Sequence, residues 1–151
     1  MLKYPVKLTP DDNETLLVSC PDVPEVTTFG ETREEALMHA AEALQLALSF
    51  YVERGLDLPA PSRPRSKKTI YVSVPALAAA KFSLYTAFRE SGIRKAELAR
   101  RLGISKGNVD RLFDIEVSTR LEHLEAAFRA LWKELQISVR DAASDPRAAI
   151  Y

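Results

Sequence analysis

The stretch "IRKAELARRLGISKGNVDRLFD", Ile93 to Asp114, decides how the rest of the chain is read. Leu98, Ala99 and Leu102 recur at helical spacing and form the inner face of one short helix, which a turn at Gly103 ends. Ser105 suits the N-cap of a second helix, in which Val109, Leu112 and Phe113 face inward. The small side chain of Ala99 lets the two helices cross closely. Gly103, four residues later, supplies the permissive turn, and Val109 wedges between the helices. These are the packing requirements of a helix-turn-helix; the plainer alternative is an αα-hairpin with solvated charges.

On the helix-turn-helix reading, the exposed start of the second helix carries Ser105, Lys106, Gly107, Asn108, Asp110 and Arg111, and this end enters the major groove of DNA. Lys106 and Arg111 can donate to guanine O6 and N7, and Gly107 allows close backbone approach. Asp110 is awkward beside phosphates. It is assigned either an ion pair that orients Arg111 or acceptance from cytosine N4. Arg94, Lys95, Arg100 and Arg101 lie on the preceding helix or at its start, where phosphate contacts set register. A homo-oligomer, dimer or tetramer, is expected because paired motifs read paired half-sites.

The flanks supply the apolar cover that a two-helix motif needs. Pro75 suits a first helical position, and the chain from Ala76 to about Gln136 reads as helices with short breaks. In "PALAAAKFSLYTAFRESG", Leu77, Leu84 and Phe88 share one face. Downstream, Thr119 and Glu122 have capping-box spacing, and Leu121, Leu124, Phe128, Leu131 and Leu135 form a stripe. The tail "SVRDAASDPRAAIY" matches no useful pattern; an unstructured end and a small strand at a dimer contact both remain open.

Upstream, "YPVKL" and "TLLVSC" have the composition of strands, joined by the polar turn cluster "TPDDNE". Two prolines keep "CPDVPE" out of helix, and a third strand, "VTTFG", follows. Thr32 and Glu35 then form a capping box that opens a long helix. Its apolar face is Leu37, Ala41, Leu44, Leu48 and Tyr51, and Gly55 ends it. The helix is expected to lie across the small antiparallel sheet, so the fold class is α+β. "LPAPSRPRSKK" reads as a linker, and "TIYVSV" as a half-buried strand whose partner stays open. The divisions are 1–58, a linker at 59–68, and an all-α helix-turn-helix and oligomerisation domain at 69–151.

The 151-residue chain has no formal net charge, but the charge is unevenly distributed. Residues 1–58 carry 4 basic and 11 acidic side chains, a net −7; residues 59–112 carry 12 basic and 3 acidic, a net +9. A basic part suits phosphates and an acidic part suits a basic partner. No membrane span or signal-peptide profile is visible, so the chain reads as soluble and cytoplasmic. Cys20 and two distant histidines offer no metal spacing, and neither a metal nor another cofactor is expected.

Residues 1–136 resemble a HicB-type antitoxin. The first half does so through "SCPDVPEVTTFGETREEALMHAAEAL", with its Pro-Asp-x-Pro loop, Gly30-Glu31-Thr32, and Glu35 to Leu37 opening the helix. The second half, "YTAFRESGIRKAELARRLGISKGNVDRLFDIEVSTRLEHLEAAFRAL", resembles the Cro/repressor-like helix-turn-helix of one branch of that family. The resemblance implies a degraded, non-catalytic ribonuclease-H-like first domain that binds a HicA-type toxin, a small basic ribonuclease that cleaves mRNA. It implies a second domain that represses the operon at its operator. On that reading Asp22, Glu25, Glu31, Glu34 and Glu35 are toxin-facing candidates, since a negative face steers and holds a basic partner. Two other readings stand beside it: a stand-alone repressor whose first domain oligomerises or senses a ligand, and an active nuclease using Asp11, Asp12, Glu14 and Asp22 around Mg²⁺. A polar hairpin turn explains the first three of those acids more simply, so no catalytic residue is assigned.

Overall fold

The computed structural model describes residues 2–141, and the end of the tail, 142–151, lies outside them. The described residues divide into two compact units, one of residues 2–50, 59–75 and 140–141, the other of 51–58 and 76–139. The first is built from β1 (Lys3–Pro10), β2 (Leu16–Ser19), β3 (Thr27–Gly30), the long helix α1 (Arg33–Glu53) and β4 (Ile70–Ser73). The strands form one antiparallel sheet in the order β3-β2-β1-β4. The fold class is therefore α+β, with an antiparallel sheet and one long helix followed by helices.

Strand β4 corrects the expected division at residue 69. It pairs with β1, Tyr4 opposite Val72 and Val6 opposite Ile70, and so belongs to the first sheet. The proline-rich segment before it is held as well: Tyr4 Oη donates to the Pro59 carbonyl at 2.6 Å, and the Ser62 N–H donates to Asp22 Oδ2 at 2.8 Å. Strand β1 meets β4 along Lys3–Val6 and β2 along Lys7–Pro10. Each half has a neighbour on one side only, a place where the missing N–H of Pro5 is tolerated.

The sheet turns Tyr4, Val6, Val18 and Val72 inward, and α1 turns Ala36, Ala40, Ala41, Leu44, Ala47 and Leu48 inward. In a unit with one sheet and one helix, these two buried faces cover each other. The buried face of α1 is rotated from the expected one: Leu37 and Tyr51 are only half-buried, and alanines take their place. Alanine permits a close approach of helix and sheet. At Gly30 the approach is so tight that a methyl group would run into the backbone of Ala36. Gly55, at φ +67°, ends α1 as expected, with N–H bonds from Gly55 to Val52 and from Leu56 to Tyr51.

The second unit packs α2 (Ala76–Ser91), α3 (Lys95–Leu102), α4 (Lys106–Phe113) and α5 (Leu121–Ala130) around one core. Phe113 is its centre, edge-on to Tyr85 at 5.4 Å and tilted against Phe88 at 5.2 Å between ring centroids. Residues 51–58 are tied to α2 by Tyr85 Oη donating to the Leu56 carbonyl at 2.9 Å and by the Arg89–Asp57 ion pair at 2.8 Å. Leu84 and Phe88 are buried as expected, but Leu77 lies at the exposed start of α2.

Helix α5 departs from its expected extent at both ends. Its N-cap is Arg120, with no side-chain cap bond, so Thr119 sits one residue too early to form the capping box. Its C-terminus comes at Ala130 rather than near Gln136. There Trp132 adopts φ +59° and the Lys133 N–H donates back to the Phe128 carbonyl at 2.9 Å. Leu124, Phe128 and Leu131 of the stripe are buried, whereas Leu121 is exposed.

Candidate functional site

The turn between α3 and α4 has the expected geometry. Gly103 adopts φ +65° and the Ile104 N–H donates to the Ala99 carbonyl at 3.0 Å, reversing the chain in three residues. Ala99 and Val109 are buried between the helices, and Leu98, Leu112 and Phe113 join the core. Ser105 Oγ accepts the Asn108 N–H at 3.2 Å, which makes Ser105 the N-cap of α4 and leaves its O–H to donate elsewhere. Ser105, Lys106, Gly107, Asn108, Asp110 and Arg111 are all exposed, and a side chain at Gly107 would meet only open space and Ser105 Oγ.

Beside this face lies an open groove of about 430 Å³. Leu102, Ile104, Leu112, Val117 and Ala126 line it with apolar surface, while Asn108, Arg111, Ser118, Thr119, Arg120 and His123 supply polar groups. The groove enlarges the candidate site to the loop before α5, which the sequence reading did not include. The signal available was "STR", residues 118–120, a run of hydroxyl and basic groups just ahead of a helix start.

The cations are partly tied up within the chain. Lys95 Nζ pairs with Asp110 Oδ1 at 2.6 Å, so of the two roles expected for Asp110 the ion pair is made with Lys95 in place of Arg111. The pair joins α3 to α4 across their exposed sides. Arg100 and Arg101 both donate to Glu97, and Arg101 also donates to the Ala130 carbonyl at 2.8 Å. Hydrogen bonds from Arg100 and Arg101 hold the Glu97 carboxyl down at about 2. Both guanidinium groups retain N–H donors beyond those spent on Glu97. Arg94 stands exposed at the N-cap of α3.

Lys81 is the residue that sequence reasoning missed. It is fully buried in α2, and its ammonium donates to the carbonyls of Arg111 at 3.0 Å, Asp114 at 2.7 Å and Val117 at 2.6 Å. Three donors meet three acceptors, so the buried charge is fully hydrogen-bonded. Burial pushes its pKa below the ordinary lysine value, and the Asp114 carboxylate offsets part of that. The three carbonyls belong to the end of α4 and the following loop, where a cation also meets the negative end of the helix dipole. Lys81 thereby sets where Arg111 leaves the backbone. The signal was present: Lys81 falls in phase with Leu77, Leu84 and Phe88, a charge placed in an apolar stripe.

In the first unit, the acidic candidates divide by whether they already serve the fold. Asp22 holds the Ser62 N–H. Glu35 Oε2 accepts the Glu31 N–H at 2.7 Å, while Thr32 Oγ1 accepts the Glu35 N–H at 3.1 Å, so the capping box closes on the residue before Thr32. Glu25 is exposed but also interacts within the chain, and Glu31 and Glu34 are exposed. The same unit exposes Phe29 on edge strand β3 and Met38, Leu46 and Phe50 on α1, apolar groups outside the charge-based reading. Cys20 is buried just after β2, and burial pushes its thiol pKa up, which keeps it unreactive. No group of three or more His, Cys, Asp or Glu placed to hold a metal ion occurs among the described residues, and none of their helices is long and apolar enough to cross a membrane.

Residues 3–83 match the family model of the HicB-like antitoxin of bacterial toxin–antitoxin systems. The chain is 40% identical over 136 residues to the antitoxin HicB of Escherichia coli (strain K12), covering 90% of this chain and 98% of that one. It is 37% identical over 142 residues to the antitoxin HicB of Pseudomonas fluorescens (strain Pf0-1), covering 94% and 97%. The crystal structure of the N-terminal domain of Burkholderia pseudomallei antitoxin HicB aligns with a TM-score of 0.41 at 26% identity, over 48% of this chain and 98% of that domain. The family match spans more than half of the chain, and the sequence likeness continues through the helical half. The chain belongs to the HicB-like antitoxin family of bacterial toxin–antitoxin systems.

Proposed function

We propose that this protein neutralises a small basic, mRNA-cleaving toxin of HicA type through its first unit and represses its own operon, as a cytoplasmic homo-oligomer, by binding operator DNA through α3 and α4. The observation that carries the DNA half is the outer face of α4, where Lys106 and Asn108 in its first turn and Arg111 in its last stand exposed beside a groove with further cationic and hydroxyl groups. Exposed donors of this kind at the start of a helix that follows a tight turn suit base edges in the major groove. Arg94, Lys95, Arg100 and Arg101 flank them as phosphate contacts. Family membership supports the toxin half, and the net −7 of residues 1–58 suits a basic partner. Glu31 and Glu34 are the acids best placed to meet it; Asp22, Glu25 and Glu35 contribute their remaining acceptor capacity beside the interactions they make within the chain.

The test is purification of the untagged native complex, intact mass of what co-elutes, and footprinting on the DNA upstream of the coding sequence. A stoichiometric small basic protein together with one protected sequence is the expected result. The protein alone, still preferring one DNA sequence, favours a stand-alone repressor. A complex with no DNA preference removes the role given to α4.

A further inference from the structure

Arg111 stands in the last turn of a short helix. Helix α4 has eight residues, about two turns, too few to hold a helix together without packing. Its first turn is capped by Ser105, but its last turn runs into an extended residue, Asp114, with no glycine to close it. Carbonyls at such an end lack partners within the helix. The Asp110 carbonyl takes the Asp114 N–H at 3.1 Å, and the next carbonyl, that of Arg111 itself, takes Lys81 Nζ at 3.0 Å.

The same ammonium holds the Asp114 and Val117 carbonyls, at 2.7 and 2.6 Å. Residues 114–120 have no regular secondary structure. Their local bonds, from the Glu116 N–H to Asp114 Oδ1 at 2.9 Å and from the Val117 N–H to the Asp114 carbonyl at 3.2 Å, fold the loop on itself. Val117 leads directly into Ser118, Thr119 and Arg120, which line the groove beside Arg111. One fully buried cation on α2 therefore fixes both the turn that carries Arg111 and the loop that borders it.

A buried ammonium is a costly way to fill a place in an apolar stripe, and an apolar side chain would serve packing alone. What the ammonium adds is geometry. Its three donors meet three carbonyls only when α4 and the loop lie in one arrangement. Reading a base edge needs such an arrangement, because a bidentate contact tolerates only about 0.5 Å and 10–20° of error, and the long Arg111 side chain magnifies any rotation of its backbone.

We propose that Lys81 is a specificity-positioning residue for operator binding: it touches no DNA, and through its grip on the Arg111, Asp114 and Val117 carbonyls it sets whether Arg111 meets its base. The inference rests on the DNA-binding reading of α4 given above.

Fluorescence anisotropy of the full chain on two labelled duplexes tests it, one carrying the footprinted sequence and the other the same bases scrambled. The ratio of the two affinities is the readout, because a loss of folded protein lowers both alike and leaves the ratio unchanged. The wild type is expected to prefer the footprinted duplex by about 1,000-fold or more. Lys81→Met is expected to lower that ratio by about 10-fold or more, as Arg111→Ala does. Scaled to the folded fraction from urea unfolding, its affinity for scrambled DNA and the salt slope stay as in the wild type, since no phosphate contact is lost. Lys81→Met combined with Arg111→Ala is expected to lose no more than Arg111→Ala alone, the sign that Lys81 acts through Arg111. Lys81→Gln, which keeps two N–H donors, is expected to retain part of the preference, and it carries the same comparison if Lys81→Met does not fold. A wild type with no preference removes the DNA-binding reading and this role with it. A wild-type preference that the Lys81 variants retain in full, or a loss that adds in full to that of Arg111→Ala, overturns the role of Lys81 and leaves the reading of α4 standing.

Discussion

The two units handle their charges in opposite ways. In the first, Asp22 and Glu35, named as toxin-facing candidates on the family resemblance, hold the Ser62 and Glu31 amides. In the second, the fold consumes Lys81 completely and ties Lys95, Arg100 and Arg101 into ion pairs, yet leaves the polar start of α4 exposed. The difference teaches that, on the proposed function, net charge matches each unit to a kind of partner, whereas residual hydrogen-bonding capacity proposes where on the unit to test for it. On this measure α4 is a sharper candidate than the acidic surface.

The comparison breaks most visibly at Lys81. Lys81→Met keeps the volume but strands three buried carbonyls, and is expected to cost about 3 kcal/mol or more in urea unfolding. A variant as stable as the wild type would mean that water replaces the ammonium. Gly30→Ala drives a methyl into the backbone of Ala36 and is expected to cost about 1–3 kcal/mol, read as a lower thermal midpoint of the full chain. Arg111→Ala is expected to leave stability unchanged while costing about 1–3 kcal/mol at the operator and relaxing preference at one base position. If affinity and preference both survive, α4 is not the reading helix.

Smaller effects separate ion pairing from phosphate contact. Lys95→Ala removes a cation and also releases Asp110 toward the phosphates, so it should weaken binding to all sequences alike and lower the salt slope by about 1. Asp110→Ala should leave binding equal or tighter, and weaker binding would instead implicate Asp110 in reading cytosine. The least effect comes from pH at Glu97. Its carboxyl lies near 2 in the folded protein against an ordinary 4.5, so its contribution is present above 4.5 and disappears as pH falls from 4.5 through 2. Urea unfolding of Glu97→Gln across that window should show a flatter acid loss than the wild type; identical curves would mean that the three charges are solvated independently.

Where sequence reading and structure parted, the cause was a contact distant in the chain. The Asp110 carboxylate meets Lys95 from the neighbouring helix, and the nearby Arg111 in its own helix does not reach it. The rotated face of α1 followed from packing, since Ala36, Ala40 and Ala47 allow an approach that a leucine stripe does not. The loop residues Ser118, Thr119 and Arg120 joined the candidate site only because the chain after α4 folds back beside Arg111.

The sequence by itself determined the order β1-β2-β3-α1, the Gly55 and Gly103 stops, the Ser105 cap and the Ala99–Gly103–Val109 packing. Each rests on neighbours within a few residues, where spacing alone constrains the backbone. Only the tertiary structure decided that β4 completes the first sheet, that Lys81 anchors the end of α4, and that α5 stops at Ala130. Those depend on which backbone groups remain to be satisfied once distant segments meet, and a hydrogen-bond acceptor on the main chain carries no mark in the sequence.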